Sequence, residues 1–202
     1  TSLLVLSIIV CLAASSLDAA ADSNRAFGPA AHGVFDAGML HDVPGVTIWQ
    51  AKDGDELQAM MRRAAQIQEE LKGPLFIRYP KATTTCGEKV DFKSWEMLAS
   101  KDSNSLLVST GALTARVENV LFDHVHLGQT KPLPEGFCNL LTQYQSVVVL
   151  EESNGVGGLS GALASYMAKE DIEAKLVVRK IPDAFTSHGK RDELLRAWGL
   201  LP

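Results

Sequence analysis

The chain has 202 residues, of which 46% are hydrophobic and 21% are charged, and its formal net charge is -5. This composition is typical of soluble globular proteins, and the length suffices for one large domain or two small ones. Basic residues neither form a stripe nor alternate with aromatic residues, so we expect no nucleic-acid partner. The three cysteines (Cys11, Cys86 and Cys138) are too few and too far apart to indicate a disulfide framework or a zinc site.

An apolar run occupies residues 3–14 and is too short to cross a bilayer as a helix, which takes roughly 20 residues. Its valines and isoleucines favour a buried parallel strand that is apolar on both faces. The alternative is that residues 1–21 are a targeting segment ending in small residues, although no basic residue precedes the run. A membrane contact by residues 3–14 is a further alternative, which we favour less than the strand.

The segment after residue 43 predicts alternating strands and helices. The Pro44-Gly45 turn precedes a predicted strand at residues 46–49. Either Asp53 or Asp55 can then cap a helix, because apolar residues recur every three or four positions over residues 57–71. A strand at residues 75–79 follows and ends at Pro80.

The second half of the chain repeats this alternation after a break. Residues 81–103 are polar, which indicates irregular structure, and we interpret residues 83–104 as a linker between two domains. Strands are then predicted at residues 105–109, 146–150 and 174–179, and helices at 113–122, 136–143, 159–168 and 190–198. Alternating strands and helices predict an α/β protein with mostly parallel sheets and flanking helices.

Three stretches of the sequence carry recognisable motifs. Residues 28–36 read GPAAHGVFD, residues 73–81 read GPLFIRYPK, and residues 147–189 begin with VVVLEE and contain IPDAF near the end. Together they resemble 1-deoxy-D-xylulose-5-phosphate synthases, thiamine-diphosphate enzymes of the transketolase superfamily. The first two stretches are similar to the family's Gly-Pro-Thr-His-x-Gly-x-Phe-Asp and Gly-Pro-x-x-Ile-Arg-Tyr-Pro-Arg segments, and the third is similar to its carboxy-terminal domain.

The resemblance implies a domain organisation and a reaction. Residues 1–82 would be the second half of a pyrimidine-binding transketolase domain, and residues 105–202 a carboxy-terminal transketolase domain. Members of the family condense pyruvate with glyceraldehyde 3-phosphate, with loss of CO₂, and use thiamine diphosphate and Mg²⁺. They work in isoprenoid biosynthesis, in the plastid stroma or the bacterial cytoplasm. Their carboxy-terminal domain supports dimerisation, so we expect other protein chains as partners, in a homodimer or a larger assembly.

The resemblance also implies that this sequence lacks groups that the reaction needs. It has no Gly-Asp-Gly…Asn motif for the diphosphate and metal, and its first glutamate, Glu56, comes too late to be the residue that activates the cofactor. The family's active-site histidine falls on Ala31, and His32, one position later, is a weak catalytic candidate. We therefore expect no catalytic residue, cofactor site or metal site in this chain alone.

Two positions correspond to the arginines with which the family binds the substrate phosphate. Arg78 matches one of them, and a planar guanidinium suits bidentate contact with a phosphate monoester. An ion pair at the end of a strand is the alternative role for Arg78. The other position is occupied by His41, a weaker phosphate-binding candidate.

Two further patterns have structural interpretations. The glycines between residues 155 and 161 resemble a phosphate cradle at a helix N-terminus, but Glu151 and Glu152 beside them would repel an anion. His124 and His126 have a spacing found in metal sites, yet no further ligand accompanies them, so we interpret residues 123–126 as a solvated helix end.

These expectations leave three functions open. The chain could be a subunit of an active synthase whose missing domains are on another chain. It could be a catalytically inactive paralogue that serves as a structural subunit of a larger assembly. It could also be a regulatory module that binds a phosphate ligand through Arg78.

Overall fold

A computed structural model describes residues 8–9, 35–79, 87–154, 157–184 and 191–201. In chain order the described strands are β1 (Ile8–Ile9), β2 (Thr47–Gln50), β3 (Leu75–Arg78), β4 (Glu96–Ala99), β5 (Ser105–Thr110), β6 (Asp123–Leu127), β7 (Gln129–Lys131), β8 (Ser146–Leu150) and β9 (Lys175–Arg179). The described α-helices are α1 (Asp36–His41), α2 (Gly54–Gln66), α3 (Glu135–Leu140), α4 (Leu159–Lys169) and α5 (Arg191–Ala197). Short 3₁₀ helices occupy Gly111–Arg116 and Leu141–Gln143.

The first sheet has the order β1-β3-β2-β7. Its first three strands are parallel, and β7 closes one edge antiparallel to β2. Strand β1 lies within the apolar run predicted to be a strand, and the rest of that run lies outside the described residues. Helix α2 covers this sheet with Met60 and Ala64, which pack with residues of β2 and β3 together with Ile67 at the C-cap of the helix.

The second sheet has the order β4-β6-β5-β8-β9 and is parallel except for the edge strand β4. The two sheets together confirm the predicted α/β class with mostly parallel strands. Alternate valines of β5, β6 and β8 are fully buried, and helices α3 and α4 pack against them through Phe137 and Leu163. A smaller cluster on helix α5 is built around Leu195 and Ile181.

The chain passes from one sheet to the other within a few residues. Strand β6 ends at Leu127 in the second sheet, and β7 begins at Gln129 in the first sheet. A side chain at the intervening Gly128 would place its Cβ 2.7 Å from the carbonyl oxygen of Lys93, so this close passage requires glycine. The predicted division into domains at residues 83–104 stays a prediction, but β7 pairs with a strand that precedes that segment.

Three predicted elements are wrong. The helix predicted at residues 113–122 is a 3₁₀ turn that ends at Arg116, and residues 123–126 belong to the buried strand β6 instead of a solvated helix end. The polar side chains of β6 predict exposure, whereas hydrogen bonds satisfy them in the interior. The segment predicted to be irregular contains β4, an edge strand too short and too polar for a clear period-two pattern.

Candidate functional site

Arg78, the stronger phosphate-binding candidate, lies at the end of β3 and contacts groups of the chain itself. Its Nε donates to Asp36 Oδ2 at 3.2 Å, in an ion pair whose side chains are 13% and 18% exposed. Its Nη1 donates to Gln50 Oε1 at 3.4 Å, and its Nη2 donates to the carbonyl oxygen of Glu152 at 3.3 Å. The guanidinium thus joins helix α1 and strand β2 to the end of β8, as the ion-pair alternative expects.

His41, the weaker candidate, ends helix α1 and points toward β7. Its Nε2 lies 3.4 Å from Thr130 Oγ1. Burial, reinforced by the nearby charge of Lys131, lowers the pKa of His41 to about 4. A neutral imidazole provides no charge for a phosphate at neutral pH, unlike the arginine that it replaces in the resemblance.

The structure brings Arg78 and His41 into one hydrogen-bonded row across the first sheet. Gln50, which is buried, accepts from Arg78 through its oxygen and donates from its Nε2 to Thr130 Oγ1 at 3.3 Å. Thr130 also contacts His41. The row crosses the adjacent strands β3, β2 and β7. Gln50 and Thr130 thus connect Arg78 to His41. His32 and Ala31 lie outside the described residues.

Asp36, the ion-pair partner of Arg78, has one carboxylate oxygen without a hydrogen-bond partner among the described residues. Its Oδ2 accepts from Arg78, while its Oδ1 is buried without a hydrogen-bond partner among the described residues. A buried carboxylate with one unsatisfied oxygen depends strongly on its cation. Arg78 is therefore important for holding Asp36 and helix α1 in place.

The glycine-rich N-terminus of helix α4 is filled by a carboxylate of the chain. Glu151 is buried and accepts from the backbone N–H groups of Leu159, at 2.9 Å, and Ser160, at 3.2 Å, as well as from the Ser160 hydroxyl. A Cβ at Gly158 would lie 2.6 Å from Glu151 Oε2, so the glycine provides the space for this carboxylate. Glu151 provides the negative charge that the helix N-terminus favours.

The neighbouring Glu152 also binds within the chain. Arg191 donates to both of its carboxylate oxygens, from Nε at 2.9 Å and from Nη2 at 2.6 Å, and the two side chains are 11% and 6% exposed. This bidentate pair joins the end of β8 to the start of α5. The chain after β8 is therefore held by two acidic residues with different internal partners.

A second cluster of buried polar side chains was not predicted from the sequence. Glu56 of α2 contacts His126 of β6, and the contacts continue through Thr114 and Ser109 to His124. The available signal was the spacing of the two histidines, because residues two apart point to the same face of a strand. The prediction of a helix end at residues 123–126 hides this pattern, because residues two apart do not share a face of a helix.

A family model described as the transketolase C-terminal domain matches residues 100–202. The chain belongs to this transketolase family. The matched residues include β5, β6, β8, β9 and the Glu151 and Glu152 contacts.

The family resemblance predicted from the motifs is confirmed by curated transketolase-superfamily relatives. The 1-deoxy-D-xylulose-5-phosphate synthase of Chlorobium phaeovibrioides is 30% identical over 189 residues, which cover 86% of this chain and 29% of that protein. The synthase of Gloeobacter violaceus is 31% identical over 193 residues, which cover 87% of this chain and 30% of that protein. The chain therefore spans less than a third of the length of these relatives.

A solved structure of a transketolase confirms the fold. A protein described as a split gene transketolase, inactive beta4 tetramer, superimposes with a TM-score of 0.71 over 83% of this chain and 58% of its own, at 20% identity. At this identity the likeness concerns the fold alone. The assignment of the first sheet to a pyrimidine-binding domain stays a prediction.

Thiamine diphosphate and Mg²⁺ are the groups that the transketolase superfamily implies, and the described residues do not fit them. No group of three or more His, Cys, Asp or Glu side chains in the described ranges is arranged to hold a metal ion. Residues 52–55 read KDGD, the string closest to the Gly-Asp-Gly motif, and they form a helix cap, since Asp53 Oδ1 accepts from Glu56 N at 2.8 Å. The N-terminus of α4 already holds the Glu151 carboxylate.

Proposed function

We propose that this chain is a 1-deoxy-D-xylulose-5-phosphate synthase-like subunit that does not catalyse the family reaction alone. The reaction in question is the condensation of pyruvate with glyceraldehyde 3-phosphate, with loss of CO₂. The contacts of the described residues support the proposal, because they do not fit the cofactor.

The observation that carries the proposal is the environment of Arg78. A phosphate would compete with Asp36, Gln50 and the Glu152 carbonyl for the same guanidinium. Displacing Asp36 would leave its carboxylate without a cation in a half-buried position, at a cost of up to about 3 kcal/mol. The second candidate, His41, brings no charge near neutral pH to offset that cost.

We further propose that the chain acts with other protein chains, as a structural subunit of an assembly. The name of the structural relative supports this, because that protein is a split-gene transketolase whose tetramer is described as inactive. Two assemblies fit the proposal, one in which a second chain supplies the cofactor-binding groups and one without catalysis. Co-purification from the native extract distinguishes them: a partner chain that carries the Gly-Asp-Gly motif supports the first, and its absence supports the second.

The decisive experiment measures binding by the isolated chain. Thiamine diphosphate with Mg²⁺, and separately glyceraldehyde 3-phosphate, should leave its melting temperature unchanged, because a ligand that binds only the folded state raises it. Arg78→Met should lower the stability by up to about 3 kcal/mol through the unpaired Asp36. Arg179→Met is the matched control, since Arg179 also ends a parallel strand but is exposed.

A phosphate-binding regulatory module is the second candidate function. It is favoured by the hydrogen-bonded row that places Arg78 and His41 in one network. In that case glyceraldehyde 3-phosphate or inorganic phosphate would stabilise the wild type and Arg179→Met but not Arg78→Met. That pattern would contradict the assignment of Arg78 to a purely internal contact.

The relatives named above are bacterial, which supports a bacterial cytoplasm over the plastid stroma as the proposed location. Among the described helices, none has the length and apolar character that crossing a membrane requires. Residues 8–9 of the apolar run form β1, and a membrane contact by the rest of residues 3–14, which lies outside the described residues, stays an alternative.

A further inference from the structure

Five buried polar side chains form a continuous hydrogen-bonded chain between helix α2 and the second sheet. His126 Nε2 lies 3.0 and 2.9 Å from the two carboxylate oxygens of Glu56, and His126 Nδ1 lies 2.9 Å from Thr114 Oγ1. Thr114 Oγ1 lies 2.9 Å from Ser109 Oγ, which in turn lies 2.7 Å from His124 Nε2. All five residues are at most 4% exposed, so water does not compete for these contacts.

The available donors and acceptors fix which atom donates in each of these hydrogen bonds. The Glu56 carboxylate only accepts, so His126 Nε2 carries a hydrogen. When His126 is neutral, its Nδ1 accepts from the Thr114 hydroxyl. Thr114 must then accept from Ser109, and Ser109 from His124 Nε2. Neutral His126 therefore requires the Nε2–H tautomer of His124.

A second proton on His126 reverses every bond. Its Nδ1 then donates to Thr114, whose hydroxyl donates to Ser109, and Ser109 donates to His124 Nε2. His124 stays neutral but must adopt the Nδ1–H tautomer. The two arrangements use the same heavy-atom positions and differ by a single proton.

We propose that Glu56, His126, Thr114, Ser109 and His124 form a proton relay in which protonation of His126 switches the tautomer of His124. In the forward step a proton from solvent or buffer binds His124 Nδ1. The Nε2 proton then moves to Ser109, the Ser109 proton to Thr114, and the Thr114 proton to His126 Nδ1. Four N–H or O–H bonds form in the relay, three break there and a fourth breaks in the donor of the entering proton, and no electron is transferred.

Burial helps His124 to act as a neutral carrier. Desolvation, followed by the proximity of His126, lowers the pKa of His124 to about 4. The residues opposite His124 on the neighbouring strands are the uncharged Ala99 and Leu107. Asp123, the adjacent acid on β6, accepts from the backbone of Lys101, whose N–H is the main cause of the lowered pKa of Asp123.

Acidic side chains face His126 from two elements. Glu56 contacts it from α2, and Glu96 lies opposite it on β4. The cations near these acids are Lys52 and Lys93, which both pair with Glu96, and the backbone N–H of Lys52 donates to Glu56 Oε2 at 2.7 Å. From β5 the residue opposite His126 is Ser109, and the 3₁₀ helix contributes Thr114. Its Arg116 pairs with Asp192.

The consequence is a contact between α2 and β6 whose strength depends on proton uptake. With His126 doubly protonated, its contact with Glu56 is a buried ion pair, and charge-assisted hydrogen bonds are stronger than neutral ones. Helix α2 covers the first sheet and β6 lies in the second. Proton uptake by the relay therefore strengthens a contact between the two sheets, the one that Glu56 of α2 makes with His126 of β6.

The test is a pH titration of the whole chain by ¹⁵N NMR of its histidine rings, which separates Nδ1–H, Nε2–H and doubly protonated forms. As His126 gains its second proton, His124 should change from Nε2–H to Nδ1–H without becoming charged. Thr114→Val, which removes one hydroxyl of the relay, should abolish the change at His124. Thr110→Val is the matched control, since Thr110 donates to the Leu127 carbonyl outside the relay.

Three results would overturn the proposal. They are a constant His124 tautomer while His126 titrates, the absence of any His126 titration in the folded chain, and a tautomer change that survives in Thr114→Val. If Thr114→Val does not fold, Ser109→Ala interrupts the relay at the next hydroxyl, and the wild-type titration decides by itself.

Discussion

Replacement of Glu151 by glutamine tests how the chain uses the helix N-terminus that resembles a phosphate cradle. Glutamine has the same shape but no charge, and it offers one acceptor oxygen where the carboxylate offers two. Two backbone N–H groups and one hydroxyl donate to Glu151, whose residue is 2% exposed. At least one of these donors is left facing an NH₂ group.

The size of the effect follows from these contacts. A buried donor without a partner costs about 1–3 kcal/mol, and removal of a negative charge from a helix N-terminus costs a further 0.3–1 kcal/mol, roughly. Glu151→Gln should therefore lower the free energy of unfolding by about 1–4 kcal/mol. This is a large part of the roughly 5–15 kcal/mol that stabilises a typical domain.

Urea unfolding followed by circular dichroism measures this change, provided that the dependence on urea is the same for both proteins. Ser160→Ala removes the hydroxyl that donates to Glu151, keeps both backbone N–H donors, and should cost about 1 kcal/mol. Glu173→Gln, at an exposed position, should change the stability by less than about 0.5 kcal/mol. If Glu151→Gln is as stable as the wild type, the carboxylate is not what satisfies this helix end and the reasoning fails.

Three further predictions concern the buried charges, the histidines and one close backbone contact. Arg191→Leu leaves the carboxylate of Glu152 buried without its cation and should cost about 3–5 kcal/mol in urea unfolding. Burial lowers the pKa of both His41 and His124 to about 4, so each binds a proton in the unfolded chain at a higher pH than in the folded chain. Stability should therefore fall as the pH decreases from about 6.5 to 4. His41→Gln should reduce the dependence of the unfolding free energy on pH by the equivalent of about one proton. Gly73→Ala places a Cβ 2.3 Å from a backbone carbonyl oxygen and should lower the melting temperature.

Each of these predictions has a control and a contradicting result. Arg116→Leu breaks an ion pair in which both side chains are 41% exposed, and it should cost less than about 1 kcal/mol. Gly87→Ala adds a methyl group with nothing within 4 Å and should be neutral. The accounts fail if Arg191→Leu and Arg116→Leu cost the same, if His41→Gln leaves the pH slope unchanged, or if Gly73→Ala is as stable as Gly87→Ala.

The sequence predicted the strands whose side chains are apolar on both faces and missed those held by polar contacts. Strands β3, β5, β8 and β9 are rich in valine, leucine and isoleucine, and their predicted positions are confirmed to within a residue or two. Strand β7 has three residues, one of them the buried Thr130, and its position depends on pairing with β2 some 80 residues earlier. No local pattern reports such a pairing.

For the site, the sequence identified Arg78 and its two alternative roles but not its partners. Asp36 is 42 residues away and the Glu152 carbonyl is 74 residues away, so their contacts with Arg78 depend on how α1 and β8 meet in the folded chain. The Glu151 cap was partly predictable, because an acid just before a glycine-rich helix start is favourable there. The relay was not, since its five members come from α2, β5, a 3₁₀ helix and β6.

The most direct test of the proposed function is a synthase assay on the purified chain. Pyruvate, glyceraldehyde 3-phosphate, thiamine diphosphate and Mg²⁺ are supplied, and 1-deoxy-D-xylulose 5-phosphate is measured by mass spectrometry beside a full-length synthase as a positive control. We predict that the chain alone forms none above the protein-free background. Turnover by the chain alone, abolished in Arg78→Met and retained in Arg179→Met, would contradict the account.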